Sequence, residues 1–252
     1  MSDNKHTKQV IIIGDGYSDY VVLKQFVLAI FKGSGANDSH LDFFEDYKAL
    51  EPLKIDRFVN HFIDKAAKKN SYDLFGEQAT ELKKQVVNSL INTLKMLQKK
   101  NIALDNHDLL IISSDSEKPL GHRNNYFQKW AYSVEAILEV AIDEFYHQLV
   151  EQGYSEQYLP LIVPLICFPS IEILVAACTE DILDFDNQCR SLQAKPALKQ
   201  KVWGTDSIDE ARRNGMLYGV LEAYMTPDAL DKIYKNIPEA RKMIKMLNFT
   251  SS

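Results

Sequence analysis

The chain reads as an α/β protein built on a mainly parallel sheet flanked by helices, and three observations predict it. Two apolar runs, residues 10–13 and 109–112, have strand length and no polar alternation, as expected of strands covered by helices on both faces. Each run stops abruptly at small residues and acids, Gly14-Asp15-Gly16 after the first and Ser113-Ser114-Asp115 after the second. Segments of helical periodicity lie between the runs, the alternation that generates parallel sheets.

Taken in order, residues 9–14 form a first strand. Gly14 and Gly16 allow a tight turn, and Ser18 is placed as N-cap of a helix to about Phe31, with Val21, Val22, Phe26, Ala29 and Ile30 on its apolar face. Residues 33–39, rich in Gly, Ser and Asn, are a loop, and residues 41–47 a short strand. Residues 50–105 form a helical insertion covering one side of the sheet, with helices over 55–69 and 78–99. Leu82, Val86, Leu90, Leu94 and Leu97 recur in the second at helical spacing. After the 109–113 strand comes a helix over about 126–150, with Trp130, Val134, Ile137, Val140 and Ala141 on one face. Residues 161–168 form a third strand that Pro164 kinks or restricts to an edge, and Pro169-Ser170-Ile171-Glu172 opens another helix. Trp203-Gly204-Thr205-Asp206 reads as a turn and helix cap. Residues 200–252 are a helical C-terminal region, divided near Pro227, and the whole of 1–252 is expected to be a single domain.

Composition narrows the classes of function. An apolar fraction of 46% with 25% charged residues is that of an ordinary globular chain. Cys167, Cys178 and Cys189 have no metal-type spacing and are odd in number, so they read as reduced thiols of a cytoplasmic protein, the first two buried. No secretory signal is expected, because the apolar run after Gln9 is too short. The longest apolar stretch is broken by Pro160, Pro164, Pro169 and Glu172, so no membrane partner is expected. The net charge of −6 offers no general attraction to nucleic acid. A metal-dependent nuclease can still be acidic, since its cations supply the missing positive charge. There is no Gly-x-Ser-x-Gly elbow, Walker loop or Gly-x-Gly-x-x-Gly turn, which argues against acyl transfer, P-loop chemistry and dinucleotide binding.

The acids past the strand ends carry the chemistry: Asp15 and Asp19 after the first, Asp115 and Glu117 after the second, Glu172 after the third. Ligands of open parallel sheets bind beyond the carboxyl ends of the strands. Carboxylates gathered there repel one another and call for hard cations, and two such cations can clamp the attacking and leaving oxygens of a phosphodiester. Lys118 and Arg123 are suited to neutralising a phosphate beside them. Each residue also has a plain reading. Asp15 suits a turn, Asp19 a helix first turn, and Glu117 and His122 a polar loop. Glu172, set between Ile171 and Ile173, needs a cation, a partner or a shifted pKa if it is buried.

In order and spacing these motifs resemble the Toprim family of topoisomerases, primases and OLD-type nucleases, in which a first strand ends in Glu-Gly before a helix and a later strand ends in Asp-x-Asp. Asp15-Gly16 and Asp115-Ser116-Glu117 stand at those places, and Pro169-Ser170-Ile171-Glu172 is similar to a third element of small defence-associated Toprim-like proteins. Asp15 stands for the usual Glu, and Glu117 for the usual last Asp. The resemblance spans about residues 9–180. It implies a nuclease dependent on Mg²⁺ or Mn²⁺, with nucleic acid as substrate and a role in defence against phage or mobile DNA. Asp15, Asp115 and Glu117 would hold metal, Asp19 would add to them, and Glu172 would complete or orient the site. A protein partner or homo-oligomer is also implied. The alternative within the family is a degenerate binding or regulatory subunit, favoured by the two departures and the acidic charge. Outside it, Gly14-Asp15-Gly16-Tyr17-Ser18-Asp19 is similar to a late metal motif of haloacid-dehalogenase phosphatases. That family needs its nucleophile strand earlier in the chain, and too few residues precede this one.

Overall fold

In the computed structural model the described residues are 7–35, 40–50, 53, 73–115, 134–155, 158–167, 170–178, 194–205, 207, 209–210 and 216–250. Four strands, β1 (Lys8–Ile13), β2 (Leu41–Phe43), β3 (Leu109–Asp115) and β4 (Leu161–Cys167), form an all-parallel sheet in the order β2-β1-β3-β4. Around it lie α1 (Tyr17–Gly33), α2 (Asp73–Lys99), α3 (Val134–Glu151), α4 (Glu172–Cys178), α5 (Ala194–Trp203), α6 (Met216–Tyr224), α7 (Leu230–Asn236) and α8 (Pro238–Thr250). The fold is therefore α/β, with a helical C-terminal region.

The uninterrupted apolar strands are explained by two separate cores. Side chains of a strand alternate between faces. Val10, Ile12, Leu109 and Ile111 pack with Phe26 of α1 and Leu174 of α4. Ile11, Ile13, Leu110 and Ile112 pack with Leu90 of α2 and Phe145 of α3. Both faces are buried, so residues of either parity in these runs are apolar. The part of the 50–105 insertion that is described, α2, covers the second face as expected, and the helix predicted over 55–69 lies outside the described residues.

The chain leaves β1 for β2 by way of α1, then crosses back past β1 to reach β3 by way of α2 on the other face. The strand order thus reverses between β1 and β3, and the crevice of an open α/β sheet lies at such a switch point. The opposite, amino-terminal edge is held by Asp108. Its buried carboxylate accepts the backbone N–H groups of Gln9 and Asp105 at 2.7 Å each, and its carbonyl accepts that of Leu161.

Several boundaries differ from expectation. The strand predicted over 41–47 ends at Phe43, and Tyr47–Ala49 is a 3-10 turn. Helix α1 starts at Tyr17, so Gly16 is the N-cap and no side chain caps it; Ser18 lies inside the first turn instead. Helix α2 begins at Asp73, five residues before the expected 78. Val140 is exposed, and α3 buries Ile137, Leu138, Ala141, Phe145 and Leu149, because α2 and β4 pack on the Leu138–Phe145 side of the predicted face, away from Val140. Trp130 lies outside the described residues. Pro164 is in β4, in register with Ile112. Among the described strands β4 is at the edge, where only one row of ladder bonds is required.

Candidate functional site

Because β1, β3 and β4 are parallel, their carboxyl ends lie on one side, and the predicted acids meet there. Asp15 follows β1 at the switch point. Its Oδ2 accepts the Ser114 hydroxyl at 2.6 Å and the Asp115 backbone N–H at 3.1 Å. This ties the β1–α1 turn directly to the tip of β3. Asp115 closes β3, and its Oδ1 accepts the Ile171 N–H at 2.9 Å, which ties β3 to the entry of α4. A single row of hydrogen bonds thus links all three strand ends.

Behind this row sit two buried carboxyl groups. Asp19, in the first turn of α1, is 3% exposed, and its Oδ1 accepts the Ser113 hydroxyl at 3.2 Å. Ser113 and Ser114 are adjacent on β3, so their side chains leave opposite faces, one toward Asp19 and the other toward Asp15. Burial holds the Asp19 carboxyl well above the usual carboxylate range. The negative charges of Asp115, Asp15 and Glu172 push it the same way, and only the Ser113 hydrogen bond opposes them. Asp19 can approach this closely because residue 14 is glycine. A Cβ there would lie 2.5 Å from the Asp19 Cβ. Gly14 is thus the contact that lets α1 fold back onto the end of β1.

Glu172 opens α4 and is 1% exposed. Its Oε1 accepts the indole N–H of Trp203 at 3.1 Å, and Trp203, the last residue of α5, is itself buried. The expectation that Trp203 belongs only to a turn is therefore corrected. Its indole is the partner that a buried Glu172 requires, while Thr205 does form the expected turn by accepting the Ser207 N–H. Next to Glu172, the hydroxyl of Ser170 is fully buried and has no hydrogen-bond partner among the described residues.

Asp15, Asp19, Asp115 and Glu172 are thus brought to one edge, whereas Glu117, Lys118, His122 and Arg123 lie outside the described residues. Among the described residues no three of His, Cys, Asp and Glu form a ready-made metal cage. The roles of Ser113, Ser114 and Trp203 were not predicted. The two serines could have been suspected, being polar residues at the buried end of an apolar strand. Trp203 carried no local signal, since its partner is 31 residues away.

No protein-family model, no curated protein and no solved structure matches the chain. No described helix is long and apolar enough to cross a membrane.

Proposed function

We propose that the chain is a metal-dependent nuclease, cleaving a phosphodiester of DNA or RNA at the carboxyl ends of β1 and β3, with Mg²⁺ or Mn²⁺ as cofactor. The observation that carries this reading is the convergence of Asp15, Asp19, Asp115 and Glu172 at the switch point, with Asp19 driven toward its neutral form by burial and, after that, by the charges of the other three. Such a cluster is short of positive charge, and a phosphate would be repelled unless cations came with it. Hard carboxylate oxygens fit Mg²⁺ or Mn²⁺. The buried Ser170 hydroxyl, which has no hydrogen-bond partner among the described residues, adds an oxygen donor.

On this reading Asp15 and Asp115 would hold the cation, which supplies Lewis acidity and an activated water when bound. Ser114 and the Ile171 N–H fix the rotamers of those two carboxylates. Glu172 adds negative potential from behind and is kept in place by Trp203, while the buried Asp19 carboxyl anchors the Ser113 end of β3. Lys118 and Arg123 would meet the phosphate, and Glu117 would join the ligands, as the resemblance implies.

A second reading, a catalytically silent Toprim-like binding subunit, draws on a different observation. Asp15, Asp115 and Glu172 each already accept a hydrogen bond from the protein, so the cluster can persist without a cation. The two readings separate in one experiment. Cleavage of plasmid, single-stranded DNA and RNA is followed with Mg²⁺ and Mn²⁺ for the wild type and Asp115→Ala, beside Mn²⁺ titration by calorimetry. Cleavage and Mn²⁺ binding that both vanish in the variant support the nuclease. A folded wild type that binds Mn²⁺ without cleaving any substrate supports the subunit, and one that binds no Mn²⁺ overturns the metal site.

A further inference from the structure

The carboxylate edge is bordered on its β2 side by an aromatic wall. Tyr17 is the first residue of α1, two positions from both Asp15 and Asp19. Tyr47 lies in the 3-10 turn that follows β2, beyond the carboxyl end of that strand. The rings of Tyr17 and Tyr47 are 5.8 Å apart and tilted by 42°. Tyr47 in turn stacks on Tyr20 at 5.1 Å and 19°. Tyr20 is buried and forms the base of the wall, while Tyr17 and Tyr47 are partly exposed.

The charges around these rings do not favour an apolar protein partner. Lys24 lies over the Tyr20 and Phe43 rings, and Lys48, next to Tyr47, is exposed. The two acids that precede Tyr47 in the chain are engaged by cations: Glu45 meets Lys24 at 3.5 Å, and Asp46 meets Lys100 at 2.8 Å. Stacked aromatic rings with lysines beside them match a nucleic-acid strand, whose bases present π faces and whose phosphates seek cations. A paired base hides its faces within the duplex stack and cannot reach such a ring.

We infer that Tyr17 and Tyr47 form a stacking subsite for an unpaired base, so that single-stranded nucleic acid is the substrate drawn to the carboxylate edge. This rests on the reading of that edge as a phosphodiester site. Tyr20 supports the platform from beneath, and Lys48 meets the neighbouring phosphate.

The test is fluorescence anisotropy with a labelled single-stranded oligonucleotide and its blunt duplex, in Ca²⁺ to prevent turnover. The proteins are wild type, Tyr17→Leu, Tyr47→Leu and Tyr47→Phe, with Mn²⁺ titrations of each by calorimetry. The expected result is preference for the single strand. Each leucine variant should weaken it about 5–150-fold, the range for loss of one base–aromatic stack. Tyr47→Phe should bind as the wild type does, and Mn²⁺ binding should be unchanged throughout. Should Tyr47→Leu, which removes the ring stacked on the buried Tyr20, fail to fold, Tyr17→Leu carries the test. Leucine variants that bind the single strand as tightly as wild type, or a wild type that prefers the duplex, overturn the subsite while leaving the metal site standing. Absence of both Mn²⁺ and oligonucleotide binding overturns the metal reading and the subsite with it.

Discussion

Replacing Trp203 with phenylalanine probes the contact that makes a buried Glu172 tolerable. Two losses add. The indole N–H donates to a carboxylate oxygen at 3.1 Å with both residues about 1% exposed, and a hydrogen bond to a charged group is worth about 1.5–3 kcal/mol. The smaller ring also forfeits apolar burial equal to one or two methylenes, about 1–2 kcal/mol. The sum is about 2.5–5 kcal/mol. In a chain of this length each kcal/mol moves the melting temperature by about 2–4 °C, so Trp203→Phe should melt about 5–20 °C lower. Denaturant melts of a double-mutant cycle with Glu172→Leu separate the two losses. With leucine at 172 there is no carboxylate to abandon, and Trp203→Phe should then cost only the packing share of about 1–2 kcal/mol. Equal costs in the two backgrounds, a coupling below about 0.5 kcal/mol, would refute the argument that the indole N–H is what compensates Glu172.

The other expectations concern different parts of the same frame. Gly14→Ala places a Cβ 2.5 Å from that of Asp19, where strand and helix backbones both resist displacement. It should cost about 1–3 kcal/mol, whereas Gly16→Ser, with open space around residue 16, should stay within about 0.5 kcal/mol of wild type by denaturant melts. For Asp19, whose folded pKa is raised, the native state holds a proton that the unfolded state has released. Metal-free stability should therefore fall as pH rises from the ordinary carboxylate range through the raised value. Asp19→Asn keeps an acceptor for Ser113 and should flatten that slope in melts across pH; parallel slopes for the two proteins would refute the assignment. Asp108→Ala strands two backbone N–H groups at the far edge of the sheet and should cost about 2–4 kcal/mol, with Mn²⁺ affinity unchanged by calorimetry because the carboxylate cluster lies at the other end. Burial pushes the Cys178 thiol up to about 12, so it should react with a thiol reagent only after denaturant is added.

The chain's own pattern determined the architecture, because burial on both faces leaves a direct mark on residue type. Residues 10–13 and 109–112 must be apolar at every position if two cores enclose the sheet, and that requirement can be read without coordinates. The acids at the strand ends were legible for a related reason. Asp15, Asp115 and Glu172 interrupt apolar surroundings abruptly, and parallel strands carry such interruptions to one edge. Pro164, lacking a ladder donor, pointed to a kink or an edge, and among the described strands β4 lies at the edge.

Tertiary structure alone decided how those acids are held. Whether Asp19 caps a helix in water or lies buried depends on the 2.5 Å that a methyl group on residue 14 would violate, and one-dimensional spacing carries no such distance. The α3 face that buries Phe145 and leaves Val140 exposed depends on where α2 packs. The indole that meets Glu172 comes from another helix, and the rings of Tyr17 and Tyr47 come together from α1 and a turn after β2. Local pattern records how much of a residue is buried; which group lies against it is set by contacts between distant segments.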